Sequence, residues 1–188
     1  MSDAAVLADL DRALAATDGV VAGIRPGQWS GPTPCTELSV RDVVNHLVSG
    51  NLAFAALVRG EPLPDPGADH LGDDPLVAFR RAGQELREAF ARPGALDAVY
   101  QAPFGTGPGT ALVHVRVVEA LTHGWDLARA TGQAATFPDD VAERTLAMSR
   151  QMLPTRPEGP TAPFGPEVPV PDGAAAIDRL AGFLGRPA

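Results

Sequence analysis

The longest helix-compatible run in the sequence is also its most apolar: ALVHVRVVEALTHGWDLARATG, residues 111–132. No proline interrupts it, and Gly132 is a natural left-handed stop for a helix ending near 131. A helix this apolar must be covered on most of its circumference, so the remainder of the chain has to supply other elements that pack around it. That requirement points to a helical core, and no internal repeat is apparent in the sequence.

The rest of the sequence offers suitable partners. Residues 3–24 place Val6, Leu7, Leu10, Leu14, Val20, Val21 and Ile24 at helical spacing, and Arg25-Pro26-Gly27 ends the run. A loop over 26–38, with three prolines and Trp29, leads to Ser39 and Asp42, a capping pair. A second helix then runs to about Arg59. Residues 60–74 form a polar Pro/Gly/Asp connection, long enough for a crossover between helices two and three. A third helix spans about 75–92, with Leu76, Phe79, Leu86 and Phe90 inside. Residues 95–110, ending in GTGPG, allow a short extended segment, but no sheet is expected there.

A fifth helix is expected over about 138–153, opened by Pro138-Asp139-Asp140. Seven prolines over 154–171 make an extended strap. Phe164, Val168 and Val170 suggest that the strap lies against the domain. A last short helix is expected over 173–185. The whole, 1–188, reads as one all-α domain of ordinary size.

Charge and composition narrow the function. The net charge is −8, against a nucleic-acid surface or a basic membrane patch. All 15 positive residues are arginine. Without lysine, a Walker phosphate loop and a Schiff-base or pyridoxal lysine are excluded, and GTGPGT at 105–110 is a weak phosphate-loop signal. No apolar run reaches membrane-spanning length uninterrupted, and the acidic N-terminus is not a signal peptide. The single cysteine, Cys35, cannot form an internal disulfide, and a cytoplasmic location is the default.

The polar residues on apolar faces carry the chemistry. Glu119 and His123 stand four apart, so they share one face of the central helix. A carboxylate and an imidazole on a mostly buried helix need a partner, which is either a divalent metal or each other. His46 lies beside the Val43/Leu47 stripe of helix two. If helices two and four are neighbours, His46 completes a His/Glu/His set with an open fourth position, the catalytic zinc pattern. His114 is rotated off that face, and His70 belongs to a solvated acidic linker. Cys35, just before a helix N-terminus, is either a nucleophile or a small buried residue. Trp125 reads as core. Asp126 is a weak catalytic candidate and, more simply, a salt-bridge partner of Arg129. Arg80 and Arg81 either hold an anionic substrate or face water.

Trp29 with PTPCTELSVRDVVNHLVSGN (32–51), and EALTHGWDLARATGQ (119–133), resemble the two signatures of the actinobacterial maleylpyruvate isomerase-like metal-binding proteins of the DinB-like superfamily. PFGPEVPVP and DRLAGFLGR resemble the ending of the short members of that group. The resemblance implies a DinB-like four-helix bundle with a long crossover, extra C-terminal helices and the proline-rich strap. It also implies a metal held by His46, Glu119 and His123, although short members often carry Asp at the Glu119 position.

Three functions follow as expectations. The first is a mycothiol-dependent transferase or isomerase: a bound metal deprotonates a small thiol, which attacks a small electrophilic substrate whose carboxylate Arg80 would hold. The second is a metal-water hydrolase with Asp126 as base. The third is a non-catalytic metal-binding module. Zinc is the default ion, with Ni²⁺, Mn²⁺ and Fe²⁺ as alternatives. Exposed apolar surface on helix one or two offers a homodimer interface. The longer isomerase's C-terminal domain is absent, which counts against isomerisation of maleylpyruvate itself.

Overall fold

The computed structural model describes residues 2–102, 105–153 and 165–187. Six helices and one small hairpin follow in the order α1 (Asp3–Ala22), α2 (Val40–Arg59), α3 (Pro75–Phe90), β1 (Val99–Ala102), β2 (Gly105–Pro108), α4 (Gly109–Thr131), α5 (Asp139–Met152) and α6 (Ala176–Phe183). Four of them make the bundle. Helix α1 packs on α3 and α4, and α2 packs on the same two. The central helix is α4, whose buried side chains run from Leu112 to Thr131.

Sequence logic accounts for the helix limits. Ser39 caps α2 by accepting from the Asp42 amide at 3.3 Å, while the Asp42 carboxylate accepts from the Ser39 amide at 3.0 Å. Asp74 caps α3 through the Val77 amide at 3.1 Å, with Pro75 at the first helical position. Helix α4 ends on Gly132 at φ 68°. The bundle interior is filled by Leu10, Leu47, Phe79, Leu86, Phe90, Leu121 and Leu127, all fully buried.

The approach of α1 to α4 is unusually close at Gly124. A Cβ there would stand 2.7 Å from Thr17 Oγ1 and 2.9 Å from Phe137. The space lets the Thr17 hydroxyl donate to the Ala120 carbonyl at 2.8 Å, tying the two helices together by a buried hydrogen bond.

The region over 95–110 departs from expectation. It contains a two-stranded antiparallel hairpin, with Val99 opposite Pro108 and Ala102 opposite Gly105. Gly109 and Thr110 donate backbone hydrogen bonds to Ala98 and Leu96, which fasten the hairpin to the start of α4. The pairing is main-chain pairing at the surface, so it leaves little apolar alternation to read. Beyond α5, Val168 donates to the Gly182 carbonyl at 2.9 Å. Together with Val170 near Gly182, this places the last part of the strap against α6. Phe164 and most of the strap lie outside the described residues.

Candidate metal centre

Helices α2 and α4 are neighbours, and their polar residues meet. His46 Nε2 lies 2.7 Å from Glu119 Oε2, and His123 Nε2 lies 3.5 Å from the same oxygen. The two imidazoles meet edge to face, with centroids 5.0 Å apart. One donor atom from each of the three residues falls within 4.8 Å of the others. Two imidazole nitrogens and a carboxylate oxygen at this separation suit a divalent transition metal. Exposure grades across the set: the His46 side chain is 48% exposed, Glu119 20% and His123 7%. The open side of the cluster is therefore the His46 side.

His123 is held from behind. Its Nδ1 is 2.9 Å from Asp126 Oδ2, and Asp126 is fully buried. Arg186, from the segment after α6, donates to both Asp126 oxygens at 3.4 and 3.3 Å, and to the Leu184 carbonyl at 3.1 Å. Asp126 thus fixes the ring so that Nδ1 carries the proton and Nε2 faces the cluster, the arrangement that supports metal-ligating histidines.

The electrostatics are strongly coupled. Burial disfavours the ionised form of Glu119, but hydrogen bonds from His123 and His46 outweigh it and hold the carboxyl well below its usual range. Burial likewise opposes charge on His123. Hydrogen bonds to Asp126 and Glu119 prevail and push its pKa up to about 9. In the absence of a cation the imidazolium is thus the resting form at neutral pH.

A cavity of about 270 Å³ opens onto the cluster, lined by Cys35, Leu38, Val118, Thr122 and Arg186 together with the three donor residues. The loop before α2 places Cys35 there. The Thr33 hydroxyl donates to the Cys35 and Leu38 carbonyls and accepts from the Cys35 amide. Burial pushes the Cys35 thiol pKa up, the reverse of what an activated nucleophile needs.

The other sequence candidates lie elsewhere. Arg80 grips Asp18 through two bonds at 2.7 and 3.0 Å and does not line this cavity. Arg81 pairs with Glu85 at 3.4 Å. His70 bonds the Asp65 carbonyl, and His114 faces Ser149. Arg129 stacks over Trp125, 5.2 Å from the ring centroid, and leaves Asp126 to His123 and Arg186. Arg186 was not singled out from the sequence. It stands sixty residues beyond Asp126, and no local spacing signals the contact.

A helical bundle with a His/Glu/His cluster between two of its helices defines a broad class. Residues 10–128 match the Mycothiol maleylpyruvate isomerase N-terminal domain family, to which the chain belongs. Uncharacterised proteins of Mycobacterium tuberculosis, from strains CDC 1551 and H37Rv, are each 35% identical over 175 residues, 93% of this chain and 94% of the relative. The fold is also that of the mycothiol-dependent maleylpyruvate isomerase crystal structure, with a TM-score of 0.65 and 17% identity. That match covers 79% of this chain and 69% of the enzyme. A histidine-to-alanine mutant of that enzyme matches equally well, at 16% identity. No helix among the described residues is long and apolar enough to cross a membrane.

Proposed function

We propose that the chain is one domain, 1–188, that binds a divalent metal, zinc by default, through His46, Glu119 and His123. In this reading it uses the metal to activate mycothiol for transfer to, or isomerisation of, a small electrophilic substrate in the cytoplasm. The observation that carries this is the convergence of His46 and His123 nitrogens on one Glu119 oxygen, with the carboxylate of Asp126 behind one imidazole. Membership of the isomerase family supports the thiol, and a one-cysteine protein suits a reducing compartment.

The residues present fit such a group. Three protein donors would leave such an ion able to take a further ligand, and the cavity adjoins all three of them. When bound, the metal would supply the charge that keeps a ligating thiol deprotonated at neutral pH. The chain's own residues do the rest. Asp126 orients His123 and keeps its Nδ1 proton. Glu119, held ionised, contributes the negative charge that a cation requires. Leu38 and Val118 line the mouth with apolar surface and limit water beside the thiol. Arg186, the guanidinium of the cavity lining, would hold a substrate carboxylate, the role that the sequence suggested for Arg80.

A hydrolytic reading is weaker on this geometry. Asp126, the base that it would need, is fully buried and engaged by both His123 and Arg186. The test is calorimetric titration of mycothiol into zinc-loaded and metal-free protein, after elemental analysis of protein purified without an affinity tag. Thiol binding confined to the zinc-loaded form is expected. Equal affinity in both forms would overturn the proposal.

A further inference from the structure

Arg116 lies one turn before Glu119 on α4 and is 3% exposed. Its guanidinium reaches α2, where Nε and Nη2 donate to Asn51 Oδ1 at 3.1 and 2.9 Å, and Nη2 to the Leu47 carbonyl at 3.4 Å. The same group sits over the Phe54 ring, 5.2 Å from its centroid. Among the described residues no carboxylate pairs with it within 4 Å, and Glu119 supplies opposing charge through space. A buried guanidinium held by neutral acceptors is a costly arrangement in a helical core.

Two neighbours bear further costs that serve the same contact. Asn51 is 1% exposed and its Nδ2 has no partner. Turning the amide would set that NH₂ against the donors of Arg116, so the guanidinium dictates the orientation and leaves the donor unsatisfied. Gly50, in mid-helix, weakens α2. A Cβ there would stand 2.6 Å from Arg116 Nη1 and 3.0 Å from Cζ, so the glycine forms the notch that admits the guanidinium.

We infer that Arg116, seated against Gly50 and gripping Asn51, is a positioning residue that sets the spacing of α2 and α4 and so the separation of His46 from Glu119 and His123. Arg116 precedes Glu119 by one turn, and Asn51 follows His46 by five residues on the facing helix. The bond between them is thus the polar link beside the cluster. The inference rests on the metal reading above.

The test is Co²⁺ binding to the full chain, followed by visible absorption for coordination geometry and by calorimetry for affinity. Wild-type protein is expected to bind Co²⁺. Arg116→Met is expected to lose about tenfold or more in affinity, with a changed absorption spectrum, as losses of supporting contacts do. Arg116→Lys, which returns a cationic donor to Asn51, should recover part of the loss. Gly50→Ala, which favours the helix but fills the notch, should weaken Co²⁺ in the same direction. If Arg116→Met does not fold, the double variant Asn51→Leu/Arg116→Met, which replaces the polar pair with apolar volume, carries the test and should fold yet bind poorly. Wild-type affinity and spectrum in both Gly50→Ala and whichever of these Arg116 variants folds would overturn the positioning role while leaving the metal reading intact. Failure of wild-type protein to bind Co²⁺ would overturn both.

Discussion

Asp126 Oδ2 stands 2.9 Å from His123 Nδ1, and among the described residues no other carboxylate pairs with that nitrogen. The contact decides which nitrogen faces the cavity. With Nδ1 committed to Asp126, Nε2 is the atom directed to Glu119 and, in the proposed function, to the metal. Replacing Asp126 with asparagine keeps the shape but removes the charge that holds the tautomer. Zinc affinity, measured by competition with a chromophoric chelator, is expected to fall by about 10- to 100-fold. Retention of wild-type affinity would show that the ring needs no such support.

The raised pKa of His123 gives metal binding a pH dependence of known sign. The imidazole must lose its Nε2 proton before it can ligate, and hydrogen bonds to two carboxylates, prevailing over burial, hold that proton up to about pH 9. Below that value each pH unit should cost about tenfold in apparent zinc affinity from this group alone. Near neutrality, zinc titrations in buffers of differing ionisation enthalpy should report release of about one proton from this site. For the metal-free protein the sign is opposite. The His123 charge stabilises the fold fully below the unfolded value near 6.5, and the contribution is lost as pH rises through about 9. A zinc affinity independent of pH between 6 and 8 would contradict this account.

How much of this was legible in the residues differs from place to place. The face shared by Glu119 and His123 follows from a spacing of four. The joining of His46 to them does not, because periodicity shows that α2 has a buried stripe but not which helix covers it. There the family resemblance supplied the neighbour. Asp126 stands three residues after His123, a spacing that brings the two side chains together on one face. The simpler sequence reading, a salt bridge from Asp126 to Arg129, is not made: Arg129 stacks on Trp125, and Asp126 pairs with His123 and Arg186. Arg186 and the 99–108 hairpin were hidden for a different reason. One acts across sixty residues of chain, and the other is held by backbone pairing of Val99–Ala102 with a strand made of two glycines, a threonine and a proline.

Gly124 offers a stability test separated from the cavity. A methyl group there must displace Thr17 Oγ1 or the Phe137 ring, and so break the hydrogen bond from Thr17 to Ala120 or part α1 from α4. Overpacking of this kind costs about 1–3 kcal/mol. The gain in helix propensity on replacing glycine offsets about 1 kcal/mol of it at most. Gly124→Ala should therefore lower the urea midpoint with an unchanged m-value. A variant as stable as the wild type would mean that the α1–α4 approach relaxes freely.

Burial lowers the pKa of His114 to about 4 from 6.5, as it sits on α4 against Ser149 of α5. In the unfolded chain this group takes up a proton near pH 6.5, whereas in the folded protein it resists until about pH 4. Stability is therefore lost as pH falls through that window, and the loss is complete once the folded form also protonates. The side chain is partly exposed, so solvent reduces the effect to on the order of 1–3 kcal/mol. His114→Asn removes the titration while keeping a polar group opposite Ser149. Urea unfolding at pH 7 and pH 4.5 should show a smaller drop for the variant than for the wild type. Parallel losses in the two proteins would assign the acid sensitivity to the carboxylates instead, among them the Asp140 carboxylate that Arg12 and Arg144 hold below its ordinary range.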